Sequence, residues 1–349
     1  MNYTFKKYIH CITALLLFGT AIVTAQGEKY AAAFLEIPLG ARALGMGSAF
    51  SSVADDGTAF FWNPAGTSLV NRKVLSVMYS SQHGSVGNPL ANYIFTGFTL
   101  PVSTVSVSAN WIRFSTDDMQ RYDDLTQIIS PEEREERVRR ALQGNFFSNS
   151  EDAFIFSIAR NNTFKIDWGW SLFEIPIEIP VGANFKIIKQ KIADNSASGI
   201  GIDLGTMIRF NLKDFTFSEY WPQVAIAFNL RDIGGSKVSW DTQRQHTIPQ
   251  SLLWGISFNQ PLEFIDTDVI LSYDHDGRYD GTNNVGLEAT YKKQFALRSG
   301  LQRGGFTAGA GIDFNFLKID YSYLANSDKM LGNVHRLGGA FEIDRLFTK

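Results

Sequence analysis

The sequence predicts an all-β fold: a transmembrane antiparallel β-barrel of about 14 strands, with an N-terminal segment folded back into its lumen. Three observations carry this. Apolar residues recur at every second position over stretches of about ten residues, long enough for a tilted span. The composition is poor in charge and rich in aromatics. The first 25 residues have the organisation of an export signal.

The composition also excludes several classes. Of 349 residues, 44% are hydrophobic and only 19% charged, against about a quarter charged in an ordinary soluble domain. Phe 28, Tyr 12 and Trp 7 make the chain too apolar and aromatic for disorder. One cysteine excludes an intrachain disulfide framework and a cysteine-based zinc cluster. A net charge of -3 leaves no electrostatic footprint for nucleic acid. A mean hydropathy of -0.08 excludes a helical membrane bundle but suits a barrel, whose strands alternate apolar and polar residues.

In residues 1–25, Lys6 and Lys7 form a positive start and residues 11–23 an uncharged apolar core too short to span a bilayer. Val23-Thr24-Ala25 places small residues at a cleavage site. Residues 26–72 follow, with weak strand alternation and many Gly, Ala and Ser that permit close backbone approach. Two readings stand: a luminal plug, or a tail with one ordered turn at Asn63-Pro64. From residue 73 onward the period-two pattern dominates. Phe306, Ala308, Ala310, Ile312, Phe314 and Phe316 share one parity and Thr307, Gly309, Gly311, Asp313 and Asn315 the other. Residues 200–212, 223–230, 285–291 and 317–323 repeat this. Fourteen strands are expected, centred near Val77, Phe95, Val107, Phe156, Phe185, Leu204, Ile226, Ile256, Ile270, Leu287, Leu297, Ala310, Ile319 and Phe341. Residues 164–180 extend two strands or form a turn. Aromatics such as Tyr79, Trp111, Phe210, Trp221, Tyr273, Tyr291 and Tyr323 lie near strand ends, as interface girdles require.

If the first strand runs outward, the loops at residues 83–90, 115–151, 234–249, 276–283 and 326–333 face the exterior, and most of the other turns are short. Residues 115–151 are densely charged. Ser130-Pro131-Glu132-Glu133 reads as a capping box with proline at the first helical position, and residues 134–142, including Arg134, Arg137 and Arg140, continue as a charged helix. This is either a solvated surface helix or an element that docks a partner.

In the N-terminal segment, Gly40-Ala41-Arg42-Ala43-Leu44-Gly45-Met46-Gly47, Ala54-Asp55-Asp56 and Trp62-Asn63-Pro64-Ala65-Gly66 stand in sequence. Together they resemble the N-terminal signature of PorV/PorQ family outer-membrane proteins, relatives of the FadL-type transport barrels that share the Asn-Pro-Ala hatch motif. The match covers about thirty residues directly. The resemblance implies a 14-stranded FadL-like barrel in the outer membrane, with Gly45, Gly47, Asp55, Asp56, Trp62, Asn63, Pro64, Ala65 and Gly66 in the hatch. It implies a part in type IX protein secretion, with the translocon and the C-terminal domains of secreted cargo as partners and outer-membrane lipid around the wall. The related alternative is a FadL-like transporter of hydrophobic small molecules. A third is a structural barrel without transport. The chain departs from the pattern in ending Leu346-Phe347-Thr348-Lys349 rather than on an aromatic residue, a role Phe341 or Phe347 would take.

No catalytic constellation appears, and no enzyme activity or cofactor is expected. His83, His246, His275 and His335 fall in or beside loops. Asp274, His275, Asp276 and Asp280 form one ligand-like group, read as a hairpin tip rather than a metal site. Asp203, Arg209, Glu288, Asp313 and Asp320 are expected to face the lumen and pair there.

Overall fold

A computed structural model describes residues 31–85, 88–120, 130–142, 144, 146–167, 174–216, 221–279, 281–325 and 333–346. The export-signal expectation, Asp280 and Phe347 lie outside them.

Eighteen antiparallel strands form one continuous sheet. Fourteen close the ring: β1 (Val74–Ser85), β2 (Asn88–Val102), β3 (Val105–Gln120), β4 (Phe146–Arg160), β7 (Val181–Ile192), β8 (Asn195–Asn211), β9 (Gln223–Arg231), β12 (Ser251–Leu262), β13 (Thr267–Asp276), β14 (Thr282–Tyr291), β15 (Phe295–Gln302), β16 (Gly305–Asp313), β17 (Leu317–Leu324) and β18 (Val334–Glu342). Pairing of β1 with β18 from Val74↔Glu342 to Ser81↔His335 completes the circle. Each of the fourteen expected centres falls in a different ring strand. Two short hairpins stand outside the count: β5 (Thr163–Asp167) with β6 (Glu174–Glu178), and β10 (Ser236–Trp240) with β11 (Gln245–Ile248).

The alternation places apolar side chains outward. Ile158 is 54% exposed, Ile200 63% and Leu297 70%, whereas their strand neighbours Ser157, Asp203 and Arg298 are buried within. Such an outer face is stable only against lipid. Among the described residues no helix is long and apolar enough to cross a membrane.

The start of β1 and the end of β18 share one end of the barrel, termed the near end. The connections after β1, β3, β7, β9, β13, β15 and β17 lie at the far end. Four of the expected loops are shorter than the sequence implied, the one at 276–283 because β13 and β14 pair out to Asp276↔Thr282. The pairing of β1 with β2 runs on to Ser85↔Asn88. The expected loop at 115–151 shrinks to 121–145, because Ser115 and Thr116 still pair with Ser150 and Asn149 and a bulge carries pairing on to Gln120↔Phe146. Polar alternation continues the ladder there, which charge density alone had concealed. The expected loop at 234–249 is mostly the β10–β11 hairpin, and β10 prolongs the wall by pairing Val238 with Gly199 of β8. Within the ambiguous stretch at 164–180, residues 164–167 and 174–178 belong to the paired strands β5 and β6 at the near end.

Candidate functional site

Residues 31–72 lie inside the ring and hydrogen-bond to its inner face. They fold as short helices of four to six residues: Ala33–Glu36, Ala41–Gly45, Ala59–Trp62 and Pro64–Leu69. None is long enough to be stable alone, so the wall must hold them.

One side of this segment is apolar. Phe34, Leu39 and Phe60 pack with Met78 of β1, Tyr93 and Phe95 of β2, Ile112 of β3, Ile155 of β4 and Ile188 of β7, and Val238 and Ile248 of the far-end hairpin join them. The Phe60 and Phe95 rings lie 5.7 Å apart. Tyr93 donates its hydroxyl to the Ile37 carbonyl at 3.1 Å. These inward apolar residues were missed by sequence reasoning, which assigned the inner face to polar groups. The available signal was a run with no polar parity, as in Tyr93-Ile94-Phe95.

The opposite side is polar. Arg42 binds Glu288 of β14 through Nε at 2.9 Å and Nη2 at 2.7 Å, and its Nη1 meets Asp55 at 2.5 Å. Glu288 also takes Arg298 of β15 at 2.5 Å, and Arg298 reaches Asp320 of β17 at 2.7 Å. Asp274 of β13, wholly buried, accepts the Phe50 and Ser51 backbone N–H groups at 2.9 and 2.7 Å and the Ser51 hydroxyl at 2.9 Å. Burial works against the Arg42 cation, yet Asp55 and Glu288 more than compensate and raise its pKa. Burial pushes Asp56 up, partly offset by Arg42. Asp274 thus serves as a clamp on the segment's backbone, a role not foreseen; among the described residues no group of three or more His, Cys, Asp or Glu could hold a metal ion.

Every expected hatch residue has a definite place. Gly47 donates its N–H to the Thr307 hydroxyl at 3.0 Å, and that hydroxyl donates to the Gly45 carbonyl at 3.2 Å. Gly47 has φ +61 and lies so close to the wall that a Cβ would fall 2.4 Å from the Val285 oxygen, so no other residue fits. Asp55 and Asp56 flank Arg42, and Asp56 accepts from Thr58 N–H at 2.8 Å. Trp62 donates its indole N–H to Leu39 at 3.0 Å, and its carbonyl accepts Asn229 of β9 at 2.9 Å. Asn63 is fully buried. Its Nδ2 donates to the Thr206 carbonyl of β8 at 3.1 Å, and its Oδ1 caps Ala65 N–H at 3.0 Å, with Pro64 following as the first residue of the turn. Gly66 donates to the Asn63 carbonyl at 2.9 Å. Wall glycines make room: a Cβ on Gly205 would lie 2.1 Å from Asn63 Oδ1.

The five expected lumen charges also have partners. Asp203 meets Lys186 at 2.7 Å, Arg209 meets Glu178 at 2.9 Å and Asp313 meets Lys318 at 3.3 Å, while Glu288 and Asp320 share Arg298. Lys186 also holds Asp232, in the turn after β9, at 2.5 Å, and Arg278 holds it at 2.6 Å. Burial alone would push Asp232 up, but these cations hold it at about 2. At the near end a cavity of about 650 Å³ lies between the segment and the wall, bordered by Arg42, Asp56, Glu288, Lys318, Glu342 and Arg345.

The second group of expected residues is elsewhere. The helix Pro131–Leu142 stands at the far end. Ser130 Oγ accepts Glu133 N–H at 3.4 Å and donates to Glu132 at 2.9 Å. The reciprocal arm of the capping box is replaced: Glu133 pairs with Arg137 at 3.2 Å. Arg139 meets Glu135 at 3.1 Å and Arg140 pairs with Glu136, while Arg134 donates its N–H to the Ser130 carbonyl. Residues 131–140 are exposed except for half-buried Val138. The histidines expected in or beside loops lie on strands near their far ends and are tied to neighbours: His275 of β13 to Asn283 at 2.8 Å and His335 of β18 to Tyr321 at 2.7 Å, with His246 of β11 beside the Trp240 ring.

No protein-family model matches the chain, and no curated protein does. Among solved structures it is similar to a deletion mutant of the monoaromatic hydrocarbon channel TodX, at 11% identity and a TM-score of 0.46, over 87% of this chain and 97% of that one. It is also similar to the outer membrane protein Omp33 of Acinetobacter baumannii, at 5% identity and a TM-score of 0.39, over 78% and 98%. At such identities the function must be argued from this chain's own geometry.

Proposed function

We propose that the protein is a plugged outer-membrane barrel of the PorV/PorQ type that works through its surfaces, binding secreted cargo or translocon partners of type IX secretion at the far, external end. The observation that supports this is the filled interior. Residues 31–72 bond to wall strands around most of the ring, from Tyr93 through Asn229, Asp274, Glu288 and Thr307. A barrel so filled is suited to presenting surfaces, and the exposed helix Pro131–Leu142 offers alternating acids and bases to a protein partner. Deleting the gene tests the reading: surface attachment of proteins with C-terminal sorting domains should fall. Unchanged secretion of every such cargo overturns it. Removal of residues 131–142 should then weaken partner capture while the barrel still folds.

The second reading, a FadL-like transporter of hydrophobic small molecules, is favoured by one observation. The lumen holds an apolar surface from Met78 to Ile188 where a polar lining is usual. A displaced segment would open that surface to an apolar solute. Uptake of a labelled long-chain fatty acid or alkylbenzene into cells with and without the protein tests it; equal uptake counts against it.

A further inference from the structure

Across β3, β4, β7, β8 and β10, register lines up the outward-facing residues of the far rim. One row holds Arg113, Asp152, Lys189, Ser198 and Ser239. The next row toward the tip holds Ser115, Ser150, Lys191 and Ser196. The row below holds Trp111, Phe154, Ile187 and Ile200, and beneath it lie Phe156, Phe185 and Ile202. Over β3, β4, β7 and β8 the outer surface therefore changes from apolar to cationic and hydroxylic within two residues, about 7 Å of strand, while on β10 the exposed Lys237, two residues from Ser239 and in line with Ile200, carries the cationic character one row lower.

A depression of about 620 Å³ opens at this step, bordered by Asp152, Lys189, Lys191, Ser196, Ser198 and Ser239. Its acids are already engaged. Both oxygens of Asp152 bind Arg113 at 2.9 Å and one also takes the Trp111 indole N–H at 2.8 Å. Asp241 accepts Ser196 N–H at 2.7 Å and its hydroxyl at 3.1 Å. Lys189 and Lys191 are exposed, and among the described residues no ion pair reaches either. Two unneutralised ammonium groups and a set of hydroxyls thus sit directly above a lipid-facing wall.

We propose that this step binds the phosphorylated sugar headgroup of an outer-leaflet glycolipid. Lys189 and Lys191 take the phosphate, the serine hydroxyls meet the sugar, and the acyl chains lie on Phe154, Ile187 and Ile200. A phosphate alone would use the lysines; a lipid uses the lysines and the wall together, and the register joins the two. The inference rests on the reading of the far end as external.

The test uses the full chain folded in detergent, with heat-modifiable migration as the check on folding. Bisphosphorylated lipid A, the same lipid with its phosphates removed, and inorganic phosphate are titrated, with bound lipid read by native mass spectrometry. The double variant Lys189→Gln/Lys191→Gln should bind lipid A about tenfold more weakly or worse, as expected for losing two cations at an anionic headgroup. Lys292→Gln/Lys293→Gln, at the near end, should bind as the parent does. Equal binding by parent and K189Q/K191Q, or equal binding of the dephosphorylated lipid, overturns the proposal. Displacement of lipid A by an equal concentration of inorganic phosphate overturns the lipid assignment. A chain that folds and inserts but fails these tests leaves the membrane reading standing; one that does not insert into vesicles at all removes that reading, and this proposal with it.

Discussion

The inner segment meets two unlike walls. Toward β1–β7 it buries Phe34, Leu39 and Phe60 against side chains, and toward β13–β17 it is fixed by Arg42, Asp274 and Thr307 through charge and hydrogen bonds. Apolar packing is non-directional and tolerates small shifts. Bidentate ion pairs and backbone clamps tolerate none. The apolar side gives the segment adhesion; the polar side gives it register. A segment whose own helices are only four to six residues long needs both.

Breaking the polar side should have the largest effect. Glu288→Gln leaves Arg42 and Arg298 facing a neutral amide and is expected to cost about 3–5 kcal/mol, as when one partner of a buried pair is lost. Denaturant unfolding measures it, and a proteolysis pattern that frees residues 31–72 while the ring survives would locate the loss. Phe60→Ala tests the apolar side at about 3–4 kcal/mol, the range for a buried aromatic. If the two sides act independently the double variant is additive; a coupling above about 0.5 kcal/mol would show that they report on one another.

Acid sharpens the comparison at the far end. Asp232 is held at about 2 by Lys186 and Arg278 despite its burial, below the unfolded aspartate value of about 3.9. A depressed acid stabilises the fold above its unfolded pKa, so this contribution, about 2 kcal/mol, should persist above roughly pH 4 and be lost as pH falls toward about 2. Asp232→Asn should flatten that part of the stability profile. Gly205→Ala drives a Cβ to 2.1 Å from Asn63 Oδ1, and overpacking of this kind costs about 1–3 kcal/mol; a fall in thermal midpoint with unchanged far-UV circular dichroism checks it. The smallest effect belongs outside the lumen. Ser130→Ala should fray the helix Pro131–Leu142 by about 1 kcal/mol or less, visible as faster amide exchange there and no change in barrel melting.

The ring was legible because lipid and lumen impose opposite demands on adjacent residues. Ile200, Ile202 and Leu204 opposite Gly201, Asp203 and Gly205 leave little choice of face. The hairpins at 163–178 and 236–248 were not legible, because strands of four or five residues carry too few alternations to count. At the inner site the pattern pointed to the segment's small residues and to Asn63-Pro64. It did not reveal Asp274, whose neighbours His275 and Asp276 made it look like part of an exposed turn. Nor did it reveal that Phe95 and Ile188 turn inward, since burial against a plug and exposure to lipid select the same side chains.

The seam between β1 and β18 joins residues nearly the whole wall apart in sequence, and eight positions pair along it from Val74 to Ser81. It makes residues 31–72 captive. Among the described residues every ring strand pairs with both neighbours, which closes the sideways route out of the lumen, and the near end, where Arg72 leads into β1, is where the segment's own chain anchors it. The Arg42–Glu288 contact, 246 residues apart in the chain, becomes possible only once the later strands have been laid down. The polar half of the segment's seating, through Arg42, Asp274 and Thr307, therefore requires β13, β14 and β16 in place, whereas its apolar half rests on β1 to β7.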